Sequence, residues 1–265
     1  MMPTPLPFVK GQAYGNDFLL VPEAAVEGRD LPALAQAMCR RHDGIGADGL
    51  MLYTFEPSAI RMRLFNADGS ASEVSGNGIR CLAALAVRQS PGLSRVVIGT
   101  PAGEKVLDLQ SQKDDALTFR ASMGIPQDIR PIEFEAAGEK IQAVALSVGN
   151  PQCVLLDDPL TESRLRTLGP AIEHHSKFPD RTNVSFARVE APNRVRILIW
   201  ERGVGPTQAS GTGACGAAVA AASYGGASRD VDVISPGGSQ RVEWREDGLY
   251  LTGWAKLVFE GRWFL

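Results

Sequence analysis

Two stretches decide the fold: SGNGIRCLAALAV, from Ser75 to Val87, and SGTGACGAAVAAA, from Ser210 to Ala222. Each opens with a serine, crowds small residues over three positions and continues into an alanine-rich helix. They read as two copies of one device. A second matched pair lies upstream, YGNDFLLV around Asn16 and VGNPQCVLL around Asn150, each an asparagine after glycine leading into an apolar strand. Asn16 and Asn150 are 134 positions apart and Ser75 and Ser210 are 135 apart, as are Asn66 and Glu201, each nine before its serine. Three landmarks in register mean an internal duplication, with the join near MGIPQDIRP, where Gly and Pro punctuate two β-rich halves.

Short β-rich runs fill the rest: DFLLV, IRMRLF, RVVIG, ALTFR, AVALSV, CVLL, NVSFARV, RVRILIW, VDVIS and LYLTGWAKLVF, each bounded by Gly, Pro, Asn or Asp. Apolar residues recurring at three and four predict helices over Leu31 to Arg41, Gly78 to Arg88, Leu160 to Ile172 and Gly213 to Tyr224. The 265 residues, 44% of them hydrophobic, fill two modest cores better than one. A net charge of -3 gives no electrostatic reason to expect a nucleic-acid or membrane partner. MMPTPLPFVK lacks a basic region followed by an apolar core, so a cytoplasmic protein is expected. The four cysteines, Cys39, Cys81, Cys153 and Cys215, lie far apart without metal-ligand spacing, and no zinc site or disulfide framework is indicated.

Small residues ahead of a helix let backbone N–H groups at its positive end face an anion. Two such ends, with Gly76, Asn77, Gly211 and Thr212 on them, suit the carboxylate of a small substrate. The local alternative is that SGNG and SGTG are helix caps, since Ser and Gly favour those positions; their matched offsets from other polar residues weigh toward a site. Around them stand Asn16, Asn66, Asn150 and Asn183 for hydrogen bonds, Glu201 for an ammonium and Arg202 for a carboxylate. Any one asparagine is as well explained by a turn, and the grouping is what carries the reading.

KGQAYGNDF, NADGSASEVSGNGIRC, VGNPQ, GPAIEHHSKFPDRTNV and ERGVGPTQASGTGACG together resemble the diaminopimelate epimerase family, in its order and at its spacings over nearly the whole chain. The resemblance implies an α+β fold of two pseudo-symmetric domains, each a mixed β-sheet wrapped around a central α-helix, with the active site in the cleft between them. The halves would span 1–126, joined by the strand 256–265, and 127–255. It implies an isomerase without cofactor or metal that interconverts LL- and meso-diaminopimelate in lysine biosynthesis. The only partner expected beyond that small amino acid is a second copy of the chain.

In that family the chemistry belongs to two cysteines, one on each helix-start loop. Here Ser75 and Ser210 stand in their places, Gln152 stands where the family usually has a histidine that assists the first cysteine, and Pro206 replaces the glutamate of ERGxGET. Changing Ser75 together with Gln152 reads as divergence rather than as a trapping mutation. A thiol has a reference pKa of about 8.5, whereas an alcohol is a far weaker acid, so a serine base needs a relay. Glu201 is the first candidate, followed by Glu73, His174 and His175. The mechanism expected has Arg202 and the helix starts holding the α-carboxylate, Glu201 pairing with the ammonium, and Ser75 and Ser210 exchanging the proton from opposite faces. Cys81 and Cys215 lie within the helices and, like Cys153, are expected in the core.

The string GTGACG matches a dinucleotide-binding fingerprint, but RILIW ends ten residues short of it and no βαβ unit surrounds it. Two rivals of the same fold stay open: an isomerase or dehydratase begun by α-proton chemistry on another acid, and a binding homologue that has lost catalysis.

Overall fold

In the computed structural model, which describes residues 5–156 and 160–264, a two-residue turn opens the first half. Tyr14 and Gly15 both have positive φ, 56° and 81°. They join β1 (Leu6–Ala13) to β2 (Asn16–Pro22) with Ala13 facing Asn16. Two left-handed residues match the twist of the flanking strands, and the turn delivers Asn16 as the first residue of β2.

From there α1 (Leu31–Cys39) crosses over to β3 (Gly49–Phe55), parallel to β2, and β3 turns back into the antiparallel β4 (Ile60–Asn66). In β4, buried Ile60, Met62 and Leu64 alternate with exposed Arg61 and Arg63, the period of a half-buried strand. The short β5 (Ala71–Ser72) pairs with β4 and leads into α2 (Gly76–Gln89). Beyond α2, β6 (Arg95–Thr100) lies parallel to β4, and β7 (Gly103–Lys113) and β8 (Ala116–Gly124) follow as antiparallel neighbours.

The second half repeats this plan. β9 (Gln127–Ala136) pairs with β10 (Glu139–Ser147), which turns into β11 (Pro151–Leu156). After α3 (Glu162–Glu173), β12 (Asn183–Ala191) runs parallel to β11 and antiparallel to β13 (Arg194–Glu201). β14 (Gly205–Thr207) pairs with β13 and leads into α4 (Gly211–Tyr224); β15 (Asp230–Ser235) then lies parallel to β13. β16 (Gly238–Arg245) and the long β17 (Gly248–Trp263) complete it. The far half of β17, from Lys256 to Trp263, pairs with β1.

The change of offset from 134 to 135 has a visible cause. Phe55 faces Ile60 across the β3–β4 hairpin, whereas Val189 faces Val195 across β12–β13, where a bulge between Val189 and Ala191 absorbs one extra residue.

The chain forms two compact units, one running to Ala121 and including the residues from Gly253 on, the other Ser122–Thr252. Each has a mixed sheet with an alanine-rich helix on one face. In α2 every residue from Gly76 to Val87 is buried, and in α4 every residue from Gly211 to Ala221. Helices buried on every side belong inside a core, and α2 carries Asn77 and Arg80 into it. α2 packs on β1, β2 and β6, and α4 on β10 to β13, β15 and β16. Glycines admit the close approach: a Cβ on Gly216 of α4 would stand 3.1 Å from Gln152, and one on Gly11 of β1 would stand 2.9 Å from Cys81 of α2.

Both helices begin two residues earlier than the apolar pattern predicts, at Gly76 and Gly211 rather than Gly78 and Gly213. The supposed loops are first helical turns, which apolar periodicity cannot register in Gly-Asn-Gly or Gly-Thr-Gly. Among the described residues no helix is long and apolar enough to cross a membrane.

Candidate active site

Ser75 and Ser210 are the N-caps of α2 and α4. Their backbones are nearly superimposable, with φ and ψ of −125° and 122° at Ser75 and −134° and 130° at Ser210. Each hydroxyl oxygen accepts from the N–H three residues on, Gly78 at 3.1 Å and Gly213 at 3.2 Å. The capping alternative is therefore realised in both copies, and each serine closes its own helix start. A capped hydroxyl keeps its proton to donate, and its oxygen lies beside first-turn N–H groups at the positive helix end. Ser210 is buried and Ser75 half-buried.

The duplicated asparagines join the duplicated caps. In the first unit Asn77 Nδ2 donates to Asn16 Oδ1 at 3.2 Å; in the second Asn150 Nδ2 donates to Thr212 Oγ1 at 3.3 Å. Thus the residue after Gly76 or Gly211 meets the asparagine that begins or precedes the parallel strand in each unit.

What holds these asparagines differs. Asn16 Nδ2 donates to Asp48 Oδ2 at 2.7 Å, and Asp48 and Asp17 clasp each other, the amide of each donating to the other's carboxylate. Arg41 bridges both carboxylates and Lys10 lies 2.9 Å from Asp17. Burial pushes the Asp17 carboxyl up, but hydrogen bonds from Arg41 and Lys10 outweigh it and hold the group below the usual carboxylate range. Arg80, buried in α2, donates to Asn77 Oδ1 and lies over the Tyr14 ring, whose hydroxyl accepts from the Trp254 amide.

In the second unit the corresponding work falls to neutral groups. Buried Gln152 donates from Nε2 to Asn150 Oδ1 at 2.7 Å. Asn183 ties three segments: its Nδ2 donates to the Pro151 carbonyl, while its Oδ1 accepts the Arg202 amide. Arg202 also donates from its guanidinium to the Asp180 carbonyl. Glu201, the last residue of β13, accepts from Thr207 Oγ1 at 2.6 Å across the β13–β14 pair. Its counterpart Asn66, the last residue of β4, donates to Ser70 Oγ at 2.9 Å within its own turn.

The first unit therefore brings together Ser75, Gly76, Asn77 and Asn16, and the second Ser210, Gly211, Thr212 and Asn150; Asn183, at the start of β12, joins Pro151 to Arg202, which follows Glu201 at the end of β13. Asn66 serves the β4–β5 turn. Sequence reasoning missed Asp48, Arg41, Arg80 and Thr207; the only signal was the spacing of Asp48 one residue ahead of β3, which means nothing until β3 lies beside β2.

The proposed relays divide. His174 follows the last residue of α3 and its Nδ1 lies 3.1 Å from the Pro170 carbonyl, so it closes that helix; His175 accepts the Lys177 amide and packs on Phe134. Glu73 is exposed. All four cysteines are free and buried, Cys81, Cys153 and Cys215 in the core as expected, and burial pushes the Cys39, Cys81 and Cys153 thiols up to about 12. None of these three supplies a thiolate near neutral pH. Among the described residues no group of three or more His, Cys, Asp or Glu is placed to hold a metal ion.

The family model described as diaminopimelate epimerase matches residues 8–128 and 144–258. Proteins named diaminopimelate epimerase from Pelotomaculum thermopropionicum and Desulforudis audaxviator are 40% and 41% identical to this chain, each over 97% of its length and 98% of theirs. A solved structure described as a predicted epimerase from Pseudomonas aeruginosa has a TM-score of 0.76 at 15% identity, covering 98% of this chain and 99% of that one. A hydroxyproline epimerase from Agrobacterium vitis, with bound trans-4-hydroxy-L-proline, has a TM-score of 0.75 at 15% identity, covering 100% and 94%. Structural likeness at such identity speaks for the α+β fold alone.

Proposed function

This chain belongs to the diaminopimelate epimerase family, and we propose from that premise that it is a cytoplasmic, cofactor-independent isomerase that interconverts LL- and meso-diaminopimelate in lysine biosynthesis. The observation that carries the reading is the duplicated helix start: a serine-capped first turn, hydrogen-bonded through its second residue to an asparagine, present in both units. Inversion at an α-carbon needs one group to take a proton and another to give one, and a duplicated site supplies two of a kind.

Arg202 and the first-turn N–H groups receive the α-carboxylate, where the carbanion's charge gathers, and Glu201 receives the ammonium. Ser75 and Ser210 serve the two faces of the α-carbon. A capped serine is well suited to donate and poorly suited to accept. The positive helix end favours an oxyanion by up to about 2 kcal/mol, or about 1.5 pK units, which leaves an alcohol far from ionised at neutral pH. Catalysis through serine is accordingly slow, with Glu201, nine positions before Ser210, as its relay.

Proton NMR of LL- and meso-diaminopimelate in D₂O tests this. Loss of the α-proton signal with growth of the other isomer is the expected result. Exchange without inversion would sink the two-base assignment and favour an isomerase or dehydratase acting on another acid. The double variant Ser75→Cys/Ser210→Cys should exchange faster than the parent by at least about tenfold, because a thiol of pKa near 8.5 ionises where an alcohol does not. A second reading, a binding protein of the same family, is favoured by one observation: both serine oxygens already accept a backbone N–H. Binding with no exchange would select it.

A further inference from the structure

The turn carrying Glu201 and Arg202 rests on a buried carboxylate that the chemistry does not use. Glu173, the last residue of α3, is 3% exposed. Its Oε2 accepts the Trp200 indole N–H at 2.7 Å, and its Oε1 accepts the Gly203 amide at 2.8 Å and the Arg181 guanidinium at 3.3 Å. One carboxylate thus takes donors from the end of β13, from the turn beyond it and from the segment leading into β12. Trp200 and Gly203 flank Glu201 and Arg202 on either side.

The tryptophan is itself boxed in. A Cβ on Gly169, one turn back along α3, would lie 2.6 Å from the indole ring, so that glycine is required for the ring to lie where it does. On the far side Gly205, at φ 97°, sits where a Cβ would stand 3.7 Å from the ring. The opposite side of the turn is held by Asn183 and Asp180, which accept from the Arg202 amide and guanidinium.

The first unit shows that the fold does not demand this arrangement. The last residue of α1, matching Glu173, is Cys39; the position matching Trp200 is Phe65; the position matching Gly169 is Ala35. All three lie in one apolar cluster. A buried charge can be replaced by apolar packing with little loss of stability, so its retention in one unit only calls for a local reason.

We propose that Glu173 is a positioning residue for substrate binding: through Trp200 and Gly203 it fixes the direction in which the turn presents Glu201 and Arg202 to the amino acid. The inference rests on the reading of Glu201 and Arg202 as groups that receive the ammonium and carboxylate. Misplacement by about 1 Å is enough to change rates by up to a hundredfold, and a charged pair aimed at a zwitterion is sensitive to direction as well as distance.

The test uses the full-length protein and its Glu173→Gln, Glu173→Ala and Trp200→Phe variants. Hydrogen exchange of the Gly203 and Val204 amides reads the turn, and KM and kcat for diaminopimelate read the site. Glu173→Gln keeps the shape and loses the charge; we expect exchange at Gly203 and KM each to rise about tenfold, with a smaller change in kcat. Trp200→Phe should shift both in the same direction by less, and adding it to Glu173→Gln should add little, because the two act through one hydrogen bond. A role confined to stability would lower the melting temperature and leave KM alone. Should Glu173→Ala fail to fold, Glu173→Gln carries the test by itself. Wild-type exchange and KM in folded Glu173→Gln would overturn the proposal. A turn that loosens in Glu173→Gln while the parent protein neither binds nor turns over diaminopimelate would instead overturn the substrate and leave the positioning role standing.

Discussion

The two units place matched polar pairs, Asn16 with Asn77 and Asn150 with Thr212, on matched helix starts and secure them by opposite means. In the first, Asn16 is held by an ion-pair network in which Asp17 and Asp48 clasp each other and share Arg41, while Lys10 pairs with Asp17 alone. In the second, Asn150 is held by the neutral amide of Gln152, which packs its methylenes against Gly216. The reverse holds behind the following hairpin, where the first unit is apolar at Cys39 and Phe65 and the second buries Glu173 against Trp200. A duplicated frame therefore fixes where a polar group must stand, while the chemistry that holds it there is free to differ between copies.

The sharpest way to break this comparison is to remove one support from each unit. Asp17→Ala strips the carboxylate that both cations and the Asp48 amide share, and should cost about 2 to 3 kcal/mol in the denaturant midpoint. Gln152→Met removes a single neutral donor at similar size and should cost about 1 kcal/mol. Equal losses would mean that charge plays no special part in the first unit.

The same contrast predicts an acid response. Because the folded Asp17 carboxyl titrates below its unfolded value, its contribution is complete above about pH 4 and is lost as the pH falls through the folded value. Protection factors at Gly78 in α2 should fall as the pH drops below about 4. Those at Gly213 in α4 should fall less, since Gln152, Asn150 and Thr212 do not titrate. A larger loss at Gly213 would reverse the assignment.

Gly169→Ala probes the second hairpin. The new methyl would meet the Trp200 ring, so we expect a loss of about 2 kcal/mol in thermal unfolding, whereas Ala35→Gly at the matching place should cost about 1 kcal/mol through helix propensity. The smallest effects belong to the features the units share. Ser75→Ala and Ser210→Ala should each cost about 1 kcal/mol of stability, the buried Ser210 more than the half-buried Ser75, as read by denaturant unfolding of each variant.

Much of this was open to a reader of the chain. The ten β-rich runs and the four helices all fall on real elements, and the matched offsets survive as matched strands, helices and caps. Five long strands escaped: β1, β3, β7, β9 and β16. In β7 and β9 exposed polar and charged residues are so frequent that apolar alternation is faint, and Pro131 interrupts β9. GLMLYTF in β3 is a nearly continuous apolar run, which periodicity cannot separate from a helix. The two serine caps and the pair Asn16 and Asn150 were legible because they recur at matched offsets. Glu173 was not, since GPAIEHH marks it only as a helix-end residue.

Local sequence suffices for whatever depends on neighbours a few residues away. Serine three positions before glycine makes a cap, alanine at every face makes a buried helix, and repetition of both makes two alike units. Which groups hold those units' polar residues follows from long-range packing instead. Asn16 meets Asp48 across 32 positions because β2 and β3 lie parallel, and Glu173 meets Trp200 across 27 because α3 packs on β13. Such partnerships depend on strand register and on how a helix lies against a sheet, and no local spacing encodes either.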